Sequence, residues 1–334
     1  MITTRHELTL PAALERAKQI FPERGIASRT LAGILRYTYR EFAQRVAKLA
    51  SALVGLGVRK GDRVATLAWN QHRHLEACFA VPAIGAVLHP LNHQLPQAQL
   101  AHTINHAADK VIVADADLLP RLESVAPSLE TVERYIIMSD ESEIRTRLTQ
   151  VASYEALIGP AEPMRRWPEL YEWDVAGICS SSAATGLPNE VGYTHRALWL
   201  ASRAFCLADA VGVTEQDTTL IVAPLFHAGA WGLPFAAVWM GSTLVLPGPR
   251  PDVKVFCELM DQERVTLAAG VPAVWMDVLA LLQREPYSAS KVSRVLCRAL
   301  PLEDVHRAAQ THFSAWDPCR GTPAAAWDNI AQRQ

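Results

Sequence analysis

No run of eighteen or more apolar residues occurs in the 334-residue sequence, so no segment has the length to cross a bilayer as a helix. The amino terminus, Met1-Ile2-Thr3-Thr4-Arg5-His6-Glu7, lacks the apolar core of a secretory signal, and a cytoplasmic protein is expected. Neither charge sign is in excess: 32 Lys and Arg against 34 Asp and Glu leave a net charge of −2. Such balance speaks against a nucleic-acid partner. Paired cysteine spacing is also missing. The six cysteines, at 78, 179, 206, 257, 297 and 319, fit a reducing compartment better than a disulfide framework. No Gly-x-Gly-x-x-Gly turn follows any early strand, which sets a dinucleotide-binding oxidoreductase far behind other readings. His102 and His106 stand one helical turn apart, but no Glu follows His102 and no third ligand is evident, so no metal site is expected. His72 and His74 fall on different sides of a predicted helix and read as surface residues.

What is present is ordinary in amount and informative in order. Half the residues are hydrophobic and a fifth are charged, as in a globular protein. The length exceeds one ordinary core, so two α/β sub-domains are expected, over 1–170 and 171–300, with 301–334 as a divergent tail. A helix is predicted over 38–56, where Phe42, Val46, Leu49 and Leu53 share one face and Thr38-Tyr39-Arg40-Glu41 fits a capping box. Strands are predicted over 63–69, 86–91, 110–114 and 132–138. Helices fall between them over 72–81 (ended by Pro82), 97–108 and 118–129, the last with a break near Pro127. Residues 140–173 read as a boundary region. Beyond it come strands over 175–179, 218–223, 242–246 and 266–269, and helices over 197–208, 253–263, 274–283 and 302–311. This alternation implies largely parallel sheets covered by helices.

The segment Ser180-Ser181-Ser182-Ala183-Ala184-Thr185-Gly186-Leu187-Pro188-Asn189-Glu190 follows a predicted buried strand. Small side chains let main-chain N–H groups approach phosphate oxygens, and hydroxyls add donors. Such loops ordinarily carry a lysine, but Asn189 and Glu190 follow Pro188 here. An ordinary Ser-rich connection from strand to helix remains the alternative. The loop resembles that of the adenylate-forming acyl-CoA synthetase family, Tyr-Thr-Ser-Gly-Thr-Thr-Gly-x-Pro-Lys-Gly. Ser181 and Ser182 keep hydroxyls at the Thr and Ser positions, and Thr185, Gly186 and Pro188 match outright. Ser180, Ala183, Ala184, Asn189 and Glu190 depart from it, and the last two replace a cation and a glycine by an amide and a carboxylate. Tyr193-Thr194-His195-Arg196-Ala197-Leu198, Pro224-Leu225-Phe226-His227 and Gly270-Val271-Pro272-Ala273 are similar to further segments of the family, in the same order. Upstream, Tyr37-Thr38-Tyr39-Arg40-Glu41 and Gly61-Asp62-Arg63-Val64 agree with it, so the resemblance covers roughly residues 30–297.

The resemblance implies an activity, site residues and cofactors. A fatty acid would be activated by ATP with Mg²⁺ as an acyl-adenylate and then transferred to coenzyme A. Ser181, Ser182, Thr185 and Gly186 would contact the β- and γ-phosphates. His227 would line the acyl and adenylate pocket, Trp231 would close the acyl tunnel, and Gly270 and Pro272 would shape the turn beside the acyl chain. For His227 a strand-end histidine and for Trp231 a buried core aromatic are the competing readings. Small residues at the turn favour an aliphatic over an aromatic carboxylic acid as the partner molecule; the resemblance implies one of medium or long chain, and a homo-oligomer is left open. The family's adenine motif, its ribose-binding Asp and its carboxy-terminal domain with a catalytic lysine are not found. Instead the chain ends through Trp316-Asp317-Pro318-Cys319-Arg320-Gly321-Thr322-Pro323, read as a divergent or frame-shifted tail on the family's amino-terminal region. Two readings follow, an impaired fatty-acid–CoA ligase and a non-catalytic remnant that binds an acyl chain or a partner.

Overall fold

The computed structural model describes residues 6–141, 143–181, 189–297 and 313. In chain order its elements begin with α1 (Pro11–Ile20), β1 (Gly25–Thr30), β2 (Gly33–Thr38), α2 (Tyr39–Gly55), β3 (Arg63–Leu67), α3 (His72–Ala83), β4 (Val87–Pro90), α4 (Gln97–Ala107) and β5 (Asp109–Asp115). They continue with α5 (Leu119–Val125), β6 (Arg134–Met138), β7 (Val151–Ser153), α6 (Tyr154–Ile158), β8 (Val175–Ser181), β9 (Asn189–Thr194) and α7 (His195–Ala204). The last are β10 (Thr218–Ile221), α8 (Ala228–Met240), β11 (Thr243–Leu246), α9 (Val253–Gln262), β12 (Leu267–Gly270), α10 (Pro272–Leu282) and β13 (Arg294–Cys297). The expected helix over 302–311 and tail over 301–334 lie outside the described residues, apart from Phe313.

The described residues divide into two compact units. One gathers those within Met1–Ala12, Glu41–Trp69 and Arg73–Trp199, the other those within Ala13–Arg40, Asn70–His72 and Leu200–Gln334. The expected boundaries at 170 and 300 followed chain order, whereas these units follow the sheets. β1 pairs in parallel with β11, with Ile26 opposite Leu244, which ties an amino-terminal segment to the second unit. β8 pairs with β4, with Leu88 opposite Gly177, which keeps residues past 170 in the first.

The first unit holds a seven-stranded sheet in the order β7-β6-β5-β3-β4-β8-β9. All its pairs are parallel except β8 with β9. Val64, Ala65, Thr66 and Leu67 on β3 are all buried, as a parallel strand covered on both faces requires. Leu100 and Ile104 of α4 and Leu119, Leu122 and Val125 of α5 pack over Ala65, Leu67, Ile112 and Ile137. In α2, Phe42, Val46, Leu49 and Leu53 are fully buried, the stripe that the sequence spacing implies. That helix begins at Tyr39, since Thr38 is still paired in β2 opposite Gly25. α3 carries Pro82 inside its last turn and ends two residues later than predicted, at Ala83.

The second unit holds a six-stranded sheet in the order β13-β12-β10-β11-β1-β2, parallel except for the β1–β2 hairpin. Phe256, Leu259 and Met260 of α9 and Trp275, Val278, Leu279 and Leu282 of α10 bury one face over Leu220, Val245, Ala268 and Val295. α8 runs against β10 and β11. No element was predicted for α8. Leu233, Phe235, Ala236, Ala237 and Val238 are all buried, so its sequence is apolar on every side and shows no period.

Candidate functional site

In the second unit the site grows from the carboxyl ends of two neighbouring strands. β10 and β12 run in parallel with Ile221 opposite Ala269, so the segments that leave them emerge at the same end. Open α/β sheets commonly bind ligands outside the carboxyl ends of their strands. The exit from β10 is held by the Val222 and Ala223 N–H groups, which both donate to the Ala269 carbonyl at 2.9 and 2.8 Å. A turn follows, in which the His227 N–H donates to the Pro224 carbonyl at 3.0 Å. His227 caps α8 in an extended conformation (φ −92°, ψ 127°) and its side chain is exposed. Its ring lies 4.7 Å from that of Phe226. Trp231, one turn into α8, is buried, and its indole N–H donates to the Leu225 carbonyl at 2.6 Å.

The exit from β12 is Gly270, where a Cβ would sit 3.1 Å from the Trp275 ring, so the indole packs against bare backbone. Pro272 opens α10, where its missing N–H costs nothing. The structure thus brings His227, Gly270 and Pro272 to one end of one sheet, with Trp231 buried in the first turn of α8.

One residue here went unnoticed in the sequence. The Asn70 side chain is buried, and its amide donates to the carbonyls of Ile221 and Ala223 at 2.9 and 2.8 Å. Its carbonyl oxygen accepts the Leu225 N–H at 2.9 Å. No local pattern marks it, because its partners lie more than 150 positions away (151 to Ile221). The only available hint was a polar side chain at the junction of a buried strand and a helix.

In the first unit the strand before the expected phosphate loop, β8, pairs antiparallel with the strand β9 that comes after it. β8 and β9 pair with Ser181 opposite Asn189 and Ser180 opposite Glu190, and α7 begins only after β9. The backbone of Ser181 closes β8, while Ser182, Thr185 and Gly186 lie outside the described residues. On β9, one carboxylate oxygen of Glu190 is buried without a hydrogen-bond partner among the described residues. Burial pushes the Asp109 carboxyl up; His89, 2.8 Å away, opposes this, and the Glu190 charge adds to it.

The histidines correct two expectations. His72 and His74 are buried. His74 sits 2.9 Å from the Thr66 hydroxyl and 3.0 Å from the Trp69 carbonyl, partners that repay its burial. Burial pushes its pKa down to about 4, so the ring is neutral near pH 7. His195, at the start of α7, is held at about 4 by the same cause, and its Nδ1 accepts the Leu10 N–H at 3.3 Å. His102 and His106 stack at 5.6 Å, and no group of three or more His, Cys, Asp or Glu among the described residues is placed to hold a metal ion.

Two helix-covered, mostly parallel sheets define the chain as an α/β protein. The chain belongs to the AMP-binding enzyme family, whose model matches residues 14–318. It is 42% identical over 291 residues to a long-chain-fatty-acid–CoA ligase of Thermus thermophilus, covering 87% of this chain and 52% of that protein. A medium-chain-fatty-acid–CoA ligase of Ectopseudomonas oleovorans is 35% identical over 294 residues, covering 87% and 54%. The fold superposes with a TM-score of 0.83 on an anthranilate CoA ligase in complex with anthranoyl-AMP, at 20% identity, covering 93% of this chain and 59% of that one. The chain spans about half the length of the curated relatives it matches. Among the described residues no helix is long and apolar enough to cross a membrane.

Proposed function

We propose that this chain carries the acid- and nucleotide-binding part of an AMP-forming ligase that joins an aliphatic carboxylic acid of medium or long chain to coenzyme A. The observation that carries this is the meeting of two segments, 222–231 and 270–275, at the carboxyl ends of the adjacent parallel strands β10 and β12. Kinship with the fatty-acid–CoA ligases supports it. His227 would face the acid, with Trp231, Gly270 and Pro272 bounding the acyl chain. Main-chain N–H groups and hydroxyls at Ser181, Ser182, Thr185 and Gly186 would cradle the phosphates of ATP. In the reaction a carboxylate oxygen attacks the α-phosphorus and pyrophosphate departs, after which the coenzyme A sulfur displaces AMP from the acyl carbon. Such chemistry is mainly positioning and charge stabilisation. Mg²⁺ would arrive on the triphosphate, whose oxygens it ordinarily shares with few protein ligands. A cytosolic protein without a nucleic-acid partner, free to self-associate, fits this reading.

A second reading, a non-catalytic acyl- or partner-binding protein, is favoured by Glu190. A carboxylate with one buried oxygen that lacks a hydrogen-bond partner among the described residues, beside Asn189 where the family pattern has lysine, would repel a phosphate at the adjoining loop. ATP–pyrophosphate exchange with octanoate separates the two. Exchange above the octanoate-free background supports the ligase. Octanoate binding without exchange moves the assignment to the non-catalytic form.

A further inference from the structure

We propose that Asn70 is a positioning residue for acid binding: it sets the turn that carries His227 and, through Leu225, the seat of Trp231. The inference rests on the assignment of His227 and Trp231 to the acid pocket made above. A carboxamide has two N–H donors and one strong acceptor. All are spent on one short stretch of main chain, the donors on Ile221 and Ala223 and the acceptor on Leu225. Leu225 is then fixed from both sides, since its N–H meets Asn70 and its carbonyl receives the Trp231 indole. The Asn70 main-chain carbonyl also accepts the Gly248 N–H at 2.9 Å, just past β11. One residue therefore ties together the exits of two adjacent strands. The Ala269 carbonyl holds the β10 exit from the β12 side, so the segment is clamped between two unlike supports.

The chemistry is specific to asparagine. Aspartate has the same shape and could still accept from Leu225, but it has no N–H groups and would present a carboxylate oxygen to two carbonyls. Alanine removes all three bonds. Asn70 is buried and its side chain bonds main-chain groups of Ile221, Ala223 and Leu225, so an effect on the acid is expected to pass through the 222–231 segment.

The test compares the full chain with Asn70→Ala and Asn70→Asp, well below their unfolding temperatures. Octanoate and ATP affinities are measured by calorimetry, and amide exchange is followed along 222–231. Expected are faster exchange at Leu225 and an octanoate affinity weaker by about tenfold, the factor that one lost hydrogen bond conveys, with ATP affinity held within about twofold. Asn70→Asp is expected to match or exceed the loss in Asn70→Ala, and it carries the comparison should the alanine variant not fold. Unchanged octanoate affinity in both variants overturns the proposal. So does a parallel fall in both affinities with protection lost along the whole chain, which marks a merely structural residue. Should the unaltered chain bind no octanoate, the reading of the pocket fails. Positioning by Asn70 is then decided by exchange alone: faster exchange confined to 222–231 upholds it, and unchanged exchange refutes it.

Discussion

Replacing Gly241 by alanine tests how the helix that carries the candidate site is ended. Gly241 follows α8 in the left-handed conformation (φ +73°), and the Ser242 N–H returns to the Ala237 carbonyl at 3.0 Å. An alanine there meets two costs. The backbone itself is strained by about 1–2 kcal/mol, because an L-residue Cβ crowds the carbonyl. The added Cβ would also lie 2.3, 2.5 and 2.7 Å from three Phe21 ring atoms. That ring is not free to swing away, since the Arg16 guanidinium lies 5.4 Å from its centre and is itself bonded to the Trp239 carbonyl. Overpacking of this kind costs about 1–3 kcal/mol, so the total is about 2–5 kcal/mol. Gly55→Ala is the matched control. It ends α2 without left-handed geometry and has nothing within 4 Å of the added Cβ, so alanine should stabilise by about 0.5–1 kcal/mol. Urea unfolding monitored by tryptophan fluorescence measures both. The steric part is isolated by adding Phe21→Ala, which should return about 1–3 kcal/mol to the Gly241→Ala background beyond its own effect. Additive single and double changes would refute the role given to Phe21, and a Gly241→Ala chain as stable as the parent would refute the whole account.

The paired changes Asn189→Lys and Glu190→Gly restore the family pattern at the start of β9 and should tighten ATP binding. One regained charge-assisted bond is worth about 1.5–3 kcal/mol, or about tenfold to a hundredfold, and calorimetry that finds no change removes the loop from the site. Acid stability should fall in two steps. Burial holds His74 and His195 at about 4, below their ordinary 6.5. Burial raises Glu155, but hydrogen bonds from Arg45 and Arg73 outweigh it and bring the carboxyl to about 2 from 4.5. All three folded values lie below the unfolded ones, so the unfolded chain takes up protons first as the pH drops. The histidine contribution is full above 6.5 and lost towards 4, and the Glu155 contribution is full above 4.5 and lost towards 2. Urea midpoints from pH 8 to 3 should show both losses, and Glu155→Gln should flatten only the lower one. Equal stability at pH 7.5 and 5 would refute the first step.

Periodic elements were legible because their spacing records one-sided burial. The α2 stripe of Phe42, Val46, Leu49 and Leu53 and the strand-helix alternation from β3 to β6 were readable in this way. α8 was not, since a helix buried on all sides leaves no period. The fate of the histidines was hidden too, because burial of a polar ring depends on partners such as Thr66 and Trp69 that composition does not announce. In the candidate site, His227, Trp231, Gly270 and Pro272 stood out through motif likeness, and Asn70 did not.

Local chemistry along the chain was enough to specify the class of fold, the order of the site segments and the loss of a cation beside Pro188, since each is written in neighbouring residues. Tertiary structure alone decided that β8 pairs antiparallel with β9, that residues 13–40 belong to the second unit, and that Asn70 grips the exit of β10. Those outcomes depend on hydrogen bonds between segments far apart in sequence, and pairing over such distances leaves no mark on either partner taken alone.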